Sequence, residues 1–281
     1  MSTSSFHILL IHCADEKGLI SKISTTVFNL GLNIIVMKEF VDSETNFFFM
    51  RCELSGELDI QSLYQDLYQQ LPLKARITIN PKKKKDIVVL ATKEFHCLSD
   101  LVTRHHFDEV NANIKAIVSN HDFLEPYVKK FDIPFHYIGH ENKSKADFEK
   151  QVYEITKSYR PDYLVLAKFM RILSEDFVSA FENRIVNIHH SFLPAFIGAN
   201  PYKQAFERGV KLIGATAHFV NNNLDEGPII SQKVLQVDHT FSVKNMVQAG
   251  HEVERAVLFE ALNLILEDRV FVTGNKTIIF A

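Results

Sequence analysis

Asn80-Pro81-Lys82-Lys83-Lys84-Lys85-Asp86 runs straight into Ile87-Val88-Val89-Leu90-Ala91. Proline and four consecutive lysines favour solvent, whereas a short apolar run bounded by charges reads as a buried strand. This junction divides the chain. It predicts a small domain over residues 1–81, a solvated basic linker over residues 82–86 and a large domain over residues 87–281. A chain of 281 residues suits two domains and is long enough to bury a full hydrophobic core.

Upstream of the junction, residues 6–11 form a short apolar run. Ile20, Ile23, Val27 and Leu30 then recur at the period of an amphipathic helix, and Gly31 stands where a C-terminal cap belongs. Residues 32–41 and 47–54 read as strands around the polar turn Asp42-Ser43-Glu44-Thr45-Asn46. Ile60, Leu63, Leu67 and Leu71 mark a second helix, and Ile77 and Ile79 alternate as a last strand. The order βαββαβ is ferredoxin-like. Downstream, strand candidates at residues 87–91, 114–119, 163–167, 185–188 and 212–220 alternate with helix candidates such as 123–131 and 146–158. A long apolar-striped helix runs from Val243 to Ile265. Such alternation argues an α/β, Rossmann-like domain with a mostly parallel sheet.

Composition excludes several classes. A net charge of −3, from 31 basic and 34 acidic residues, argues against a general nucleic-acid partner. Cys13, Cys52 and Cys97 are odd in number and scattered, so they form neither a disulfide framework nor a zinc cluster, and a reducing compartment is expected. No apolar run nears the ~18 residues of a membrane span, and no secretory leader is legible. The expectation is a cytoplasmic protein.

In an open parallel sheet, ligands gather beyond the carboxyl ends of the strands. The strand at residues 185–188 leads into His189-His190-Ser191-Phe192-Leu193-Pro194. Asn187 and His189 lie two apart and on an extended chain share one side, while His190 points to the other. Neighbouring histidines aimed apart do not hold one ion, and H-E-x-x-H is absent, so no catalytic metal is expected. A second polar cluster, Asn221-Asn222-Asn223-Leu224-Asp225-Glu226-Gly227-Pro228, follows the strand that ends near Val220. Composition leaves both segments open: a hairpin loop or a site, a core histidine or a catalyst.

The order of the motifs says more. Asn187-Ile188-His189-His190-Ser191-Phe192-Leu193-Pro194, then His218-Phe219-Val220, then Leu224-Asp225-Glu226-Gly227-Pro228 resembles the signature of folate-dependent formyltransferases. The resemblance implies that Asn187, His189 and Asp225 surround the formyl carbon. Leu166-Ala167-Lys168-Phe169-Met170-Arg171-Ile172-Leu173 resembles the family's folate-binding stretch, which implies that Met170, Arg171, Ile172 and Leu173 lie beside the pterin. His190, Ser191, His218 and Gly227 are expected around the same substrate. The small domain resembles an ACT domain, through Asp15-Glu16-Lys17-Gly18-Leu19-Ile20 and Gly31-Leu32-Asn33-Ile34. That implies a regulatory or oligomer-building role. An amino-acid effector such as glycine or methionine would be held by Asp15, Lys17, Gly18, Leu19 and Asn33, in a homo-oligomer. The pairing of the two domains, and the run from Asn187 through Ala195-Phe196-Ile197-Gly198, resembles the family's deformylating branch; most of its transferases carry proline where His190 stands.

The resemblance thus implies a hydrolase of a linear amide C–N bond. It would cleave 10-formyltetrahydrofolate to formate and tetrahydrofolate, supplying formate for purine synthesis and balancing one-carbon folate pools, with no metal or cofactor. The family's glycinamide ribonucleotide enzymes cradle a phosphate in a Gly-rich loop after the first large-domain strand. Here that loop reads Thr92-Lys93-Glu94-Phe95-His96-Cys97-Leu98-Ser99, without glycine, so a phosphorylated acceptor loses its cradle. The alternative is a folate-dependent transferase acting on an unphosphorylated amine. A nicotinamide-dependent dehydrogenase lacks its G-x-G-x-x-G after residues 87–91. In the expected mechanism Asp225 is the general base, its pKa raised by a partly apolar loop, and Asn187 and His189 donate hydrogen bonds to the formyl oxygen.

Overall fold

The computed structural model describes residues 5–194 and 201–280; residues 195–198 of the motif run lie outside the described residues. The chain divides into two compact units. One holds the residues up to Lys83 together with Glu267–Phe271 and Phe280, and the other holds Lys84–Leu266 and Val272–Ile279.

The first unit runs β1 (Phe6–Ala14), α1 (Leu19–Asn29), β2 (Asn33–Asp42), β3 (Phe47–Ser55), α2 (Ile60–Gln70) and β4 (Arg76–Pro81). Its antiparallel sheet has the order β2-β3-β1-β4, consistent with an ACT-like domain. Alternation along β1 and β3 sends Leu9, Ile11, Cys13, Met50, Cys52 and Leu54 to one buried face, where Ile23 and Val27 of α1 and Leu63 and Leu67 of α2 cover them. Gly31 closes α1 as its glycine position implied: at φ 71° its N–H donates to Phe28 O at 2.9 Å, and Leu32 N–H donates to Val27 O at 3.1 Å.

Two features differ from the boundary drawn at residues 82–86. Lys85 is buried and opens a strand, because its backbone joins a parallel ladder opposite Ala112. The chain end also returns to the first unit. Arg51 donates from Nε to Asp268 O at 3.1 Å and from Nη2 to Glu267 O at 3.0 Å, so a buried guanidinium holds two backbone carbonyls. Carbonyl acceptors carry no residue-type signal, which is why no sequence pattern shows this return.

The second unit continues with β5 (Lys85–Ala91), α3 (His96–His106), β6 (Ala112–Ser119), α4 (Glu125–Val128) with a 3-10 turn (Lys129–Phe131), β7 (Phe135–Tyr137), α5 (Lys145–Ser158) and β8 (Tyr163–Ala167). Then follow α6 (Glu175–Ala180), β9 (Ile185–His189), α7 (Pro201–Arg208), β10 (Leu212–Phe219), β11 (Ile229–Gln236) and α8 (Val243–Leu266). A two-stranded hairpin, β12 (Val270–Thr273) and β13 (Lys276–Ile279), closes the chain. The main sheet has the order β11-β10-β9-β8-β5-β6-β7; it is parallel from β9 to β7 and antiparallel at β10 and β11. Short β7 and largely exposed β11 escape a reading by apolar runs. Among the described residues, no helix is long and apolar enough to cross a membrane. Because β5, β8 and β9 are parallel neighbours, their carboxyl ends bring the segments starting at Thr92, Lys168 and His189 to one edge of the sheet.

Candidate active site

Strand β9 delivers Asn187 and His189, and the antiparallel register places His218 of β10 opposite Asn187. The β10–β11 hairpin folds back to bring in Asp225. Its Oδ2 lies 3.2 Å from His189 Nδ1 and its Oδ1 lies 3.7 Å from His218 Nε2. Asp225 adopts φ 56°, a left-handed conformation that aspartate tolerates better than most residues. His218 is fixed by its neighbours: Nδ1 donates to Phe219 O at 2.9 Å, and Nε2 faces the Asn187 amide at 3.2 Å. His189 is buried, and its Nε2 has no hydrogen-bond partner among the described residues. An imidazole with Nδ1 on a carboxylate and Nε2 free is arranged to pass a proton to or from a ligand.

Burial pushes the Asp225 carboxyl up, but hydrogen bonding and charge from His189 and His218 outweigh it and hold the group well below the usual carboxylate range. This corrects the expectation of a raised pKa. The hairpin is not an apolar environment for Asp225, because two histidines from neighbouring strands face both carboxylate oxygens. A carboxylate this acidic is a poor lone base, and its place 3.2 Å from Nδ1 suits it to orient the His189 ring.

These residues line a cavity of about 340 Å³, whose lining also includes the segment Lys168–Leu173. Met170, Arg171, Ile172 and Leu173 all line it, and Lys168 and Met170 both have left-handed backbones at φ 63° and 53°. A second cleft of about 410 Å³ shares Phe169–Leu173 and adds His140, Lys143, Lys145 and Phe148.

His190 is a correction. The strand ends at His189, so alternation no longer governs the next residue, and the two rings stack at 5.0 Å with 19° between planes. His190 lines the same cavity instead of turning away from it. Ser191 and Gly227 do not line it. The Ser191 carbonyl accepts from Thr216 Oγ1 at 2.9 Å, which anchors the turn after β9. Gly227 serves close packing, since an added Cβ would lie 1.7 Å from Phe219 O. In the first unit, Gly18 is the N-cap of α1 with no side-chain cap, and Lys17 and Asn33 are exposed. Asp15 N–H donates to Asn46 O at 2.9 Å. Leu19 is 2% exposed, so its side chain belongs to the core and not to a ligand surface.

Sequence reasoning missed a buried charged cluster beside the cavity. Glu254 of α8 is fully buried; its Oε2 meets Lys168 Nζ at 3.1 Å and His96 Nε2 at 2.9 Å, and its Oε1 accepts from Tyr202 OH at 2.6 Å. Burial raises the Glu254 carboxyl, yet His96, Lys168 and Tyr202 together bring it down to about 2. Gly250 makes room for this contact, because a Cβ there would lie 2.1 Å from Tyr202 Cζ. The signal was present in α8. Glu254 falls on the helix face that carries Val257, Leu258 and Ala261, where a carboxylate needs a cation. Glu94, His96 and His251 also lie close enough to invite a metal reading. The His96 and His251 rings, however, stack face to face at 3.8 Å with 8° between planes. Ligating imidazoles aim in-plane nitrogens at one ion from about 2 Å, so parallel stacked rings do not fit.

The comparisons agree with this geometry. Residues 85–262 match the formyl transferase family. A formyltetrahydrofolate deformylase of Haemophilus influenzae is 50% identical over 97% of this chain and 98% of its own length, and one of Bacillus subtilis is 42% identical over 97% and 93%. The crystal structure of a formyltetrahydrofolate deformylase from Pseudomonas syringae superposes with a TM-score of 0.94 at 37% identity, covering 100% of this chain and 96% of that one. Glycinamide ribonucleotide transformylase 1 of Symbiobacterium toebii gives a TM-score of 0.68 at 27% identity and covers 73% of this chain. The chain belongs to the formyl transferase family and, within it, to the formyltetrahydrofolate deformylases.

Proposed function

We propose that this chain hydrolyses 10-formyltetrahydrofolate to formate and tetrahydrofolate. The observation that carries the reading is His189: Nδ1 lies on Asp225, Nε2 has no hydrogen-bond partner among the described residues, and the residue lines one cavity with Asn187 and Asp225. The pterin lies against residues 170–173, and the glutamate tail reaches the second cleft, where Lys143 and Lys145 supply positive charge. Water attacks the formyl carbon; its proton goes to His189 Nε2, and the carbonyl electron pair moves onto the formyl oxygen, held by the Asn187 N–H. On collapse the C–N bond breaks and His189 returns the proton to the leaving nitrogen. Asp225 stabilises the imidazolium in between. The chemistry calls on no metal or cofactor.

Relatives named as deformylases match the chain along its whole length, whereas the transformylase covers only its larger part, and this favours water over an amine acceptor. Incubation with 10-formyltetrahydrofolate and no acceptor tests the choice. Steady formate release supports hydrolysis, and silence until an amine is added supports transfer.

The same reading extends to context. The formate feeds purine synthesis and the folate pools are balanced, in the cytoplasm, where three buried free cysteines stay reduced. The small domain, residues 1–81, builds a homo-oligomer and binds a small amino acid such as glycine or methionine. Edge strand β2 supports assembly, since it exposes Ile35, Phe40 and Val41. Gly18, Lys17, Asp15 and Asn33 support the effector, because an uncapped helix start suits a carboxylate.

A further inference from the structure

Strand β9 ends at His189, yet the chain beyond it is still tied to the sheet. Thr216 of β10 stands opposite His189, and Gln232 of β11 stands opposite Thr216, so the three side chains share one face. The Thr216 hydroxyl is fully buried and uses its one donor and both acceptor positions. It donates to Ser191 O at 2.9 Å and accepts from Leu193 N–H at 3.1 Å and from Gln232 Nε2 at 2.9 Å. Gln232 Nε2 also donates to Leu193 O at 3.2 Å. Gly214, two residues before Thr216 and on the same face, lets Phe192 lie close to the strand, since a Cβ there would stand 3.2 Å from Phe192 Cβ.

A dry position inside a strand suits valine, which has the shape of threonine and no hydroxyl to satisfy. Here the hydroxyl and one amide hold three backbone groups of the turn, at residues 191 and 193. The side chain this turn presents to the cavity is His190. Its ring lies on that of His189 at 5.0 Å with 19° between planes, and both residues line the cavity with Asn187 and Asp225. The Asp225 carboxylate meets His189 at Nδ1, 3.2 Å away. One contact at one edge leaves an imidazole able to tilt, and a second ring on its face limits the tilt. We infer that Thr216 and Gln232 are positioning residues for the proton carrier: by pinning residues 191–193 they hold the His190 ring against His189, and so set the direction in which His189 Nε2 meets its ligand. The inference rests on the hydrolysis proposed above, in which His189 carries the proton, and deepens it.

Removing the hydroxyl releases Ser191 O and Leu193 N–H together. Buried backbone groups do not stay unpaired, so the turn must shift to find other partners. A displacement of about 1 Å at a reacting group costs on the order of 100-fold in rate. Residues 170–173 belong to another segment, so folate binding is left in place.

The test uses the full chain. Thr216→Val should lower kcat roughly 10- to 100-fold while KM for the folate stays within about two-fold. His190→Ala should lower kcat by a similar factor, and Thr216→Ser, which restores the hydroxyl, should recover most of the loss. In the His190→Ala background Thr216→Val should cost almost nothing further, because the clamp acts through that ring; costs that simply add overturn the inference, as does an unchanged kcat in folded Thr216→Val. Should Thr216→Val fail to fold, Gln232→Leu leaves the hydroxyl its bonds to Ser191 and Leu193 and is judged the same way, by a smaller fall in kcat that vanishes when His190 is alanine. Carbon-13-labelled histidine gives a readout without turnover. The His189 ring signal, identified by its loss in His189→Gln, should move in either clamp variant toward its position in His190→Ala, and a signal that stays in place overturns the inference. Absence of formate release from the wild type defeats the hydrolysis reading, and the ring signal still decides whether the clamp places His190.

Discussion

Replacing Asp225 by asparagine keeps the shape of the hairpin and removes one charge. The carboxylate faces His189 Nδ1 at 3.2 Å and His218 Nε2 at 3.7 Å. At 3.2 Å, in an effective dielectric of about 20, a pair of unit charges interacts by roughly 5 kcal/mol. The full amount is not lost. The side chain keeps 15% of its surface in solvent, and the amide oxygen still accepts from His189. A deficit of about 3–4 kcal/mol in stabilising the imidazolium formed during attack corresponds to roughly a 100- to 1,000-fold fall in kcat. KM should change by less than about two-fold, because residues 170–173 are untouched. The assay is formate release from 10-formyltetrahydrofolate at saturating substrate, with folate binding measured separately by calorimetry. A variant that keeps more than about a tenth of the wild-type rate would show that the Asp225–His189 pair does not carry the proton.

His189→Ala should lower kcat far more than it raises KM, since its contact strengthens as charge develops; a change confined to KM makes His189 a ground-state binding residue. Glu254→Gln should alter acid stability. The native carboxyl, at about 2, lies below its ordinary 4.5, so its contribution is complete above about 4.5 and lost as pH falls toward 2. Melting curves of wild type and variant should therefore differ most near neutrality and converge in acid, and parallel curves would refute the assignment. Gly227→Ala forces a Cβ to within 1.7 Å of Phe219 O, so the hairpin must shift; denaturant titration should show a loss of about 2 kcal/mol or more, with activity falling alongside. Calorimetry of the full chain against glycine, serine and methionine checks the effector: no heat at millimolar concentration leaves the first unit an assembly module.

Both folds were legible because apolar period is enforced by burial. Ile23 and Val27, or Leu9 and Ile11, recur where a core needs them, and an order of elements follows. That Asn187 and His189 share one side was legible from alternation within β9, whereas their place in a site came from the order of the motifs and the resemblance it carries. The reading of His190 failed one residue beyond the strand's end, where that rule stops applying. The expected pKa of Asp225 failed because local composition describes a loop, while the charge state depends on two histidines delivered by other segments.

Lys168 and Glu254 show what lay between these cases. Lys168 stood in a quoted motif with no role, and Glu254 stood on the buried face of a helix described only by its apolar members. Neither is informative alone, since a lysine in a loop is ordinarily solvated and one acid in a long helix is unremarked. A carboxylate on a buried helix face nevertheless demands a cation, because an unpaired buried charge costs several kcal/mol. The sequence therefore contained the demand without the address. The parallel sheet supplies the address: with β5 beside β8, the segments after both strands meet at one edge, so Lys168 and His96 converge on the same acid. The cluster's place beside His189 and His190 follows from the same topology, since β9 is the next strand along. The acid in α8 and the two cations that answer it thus come together because parallel neighbours end at one edge of the sheet.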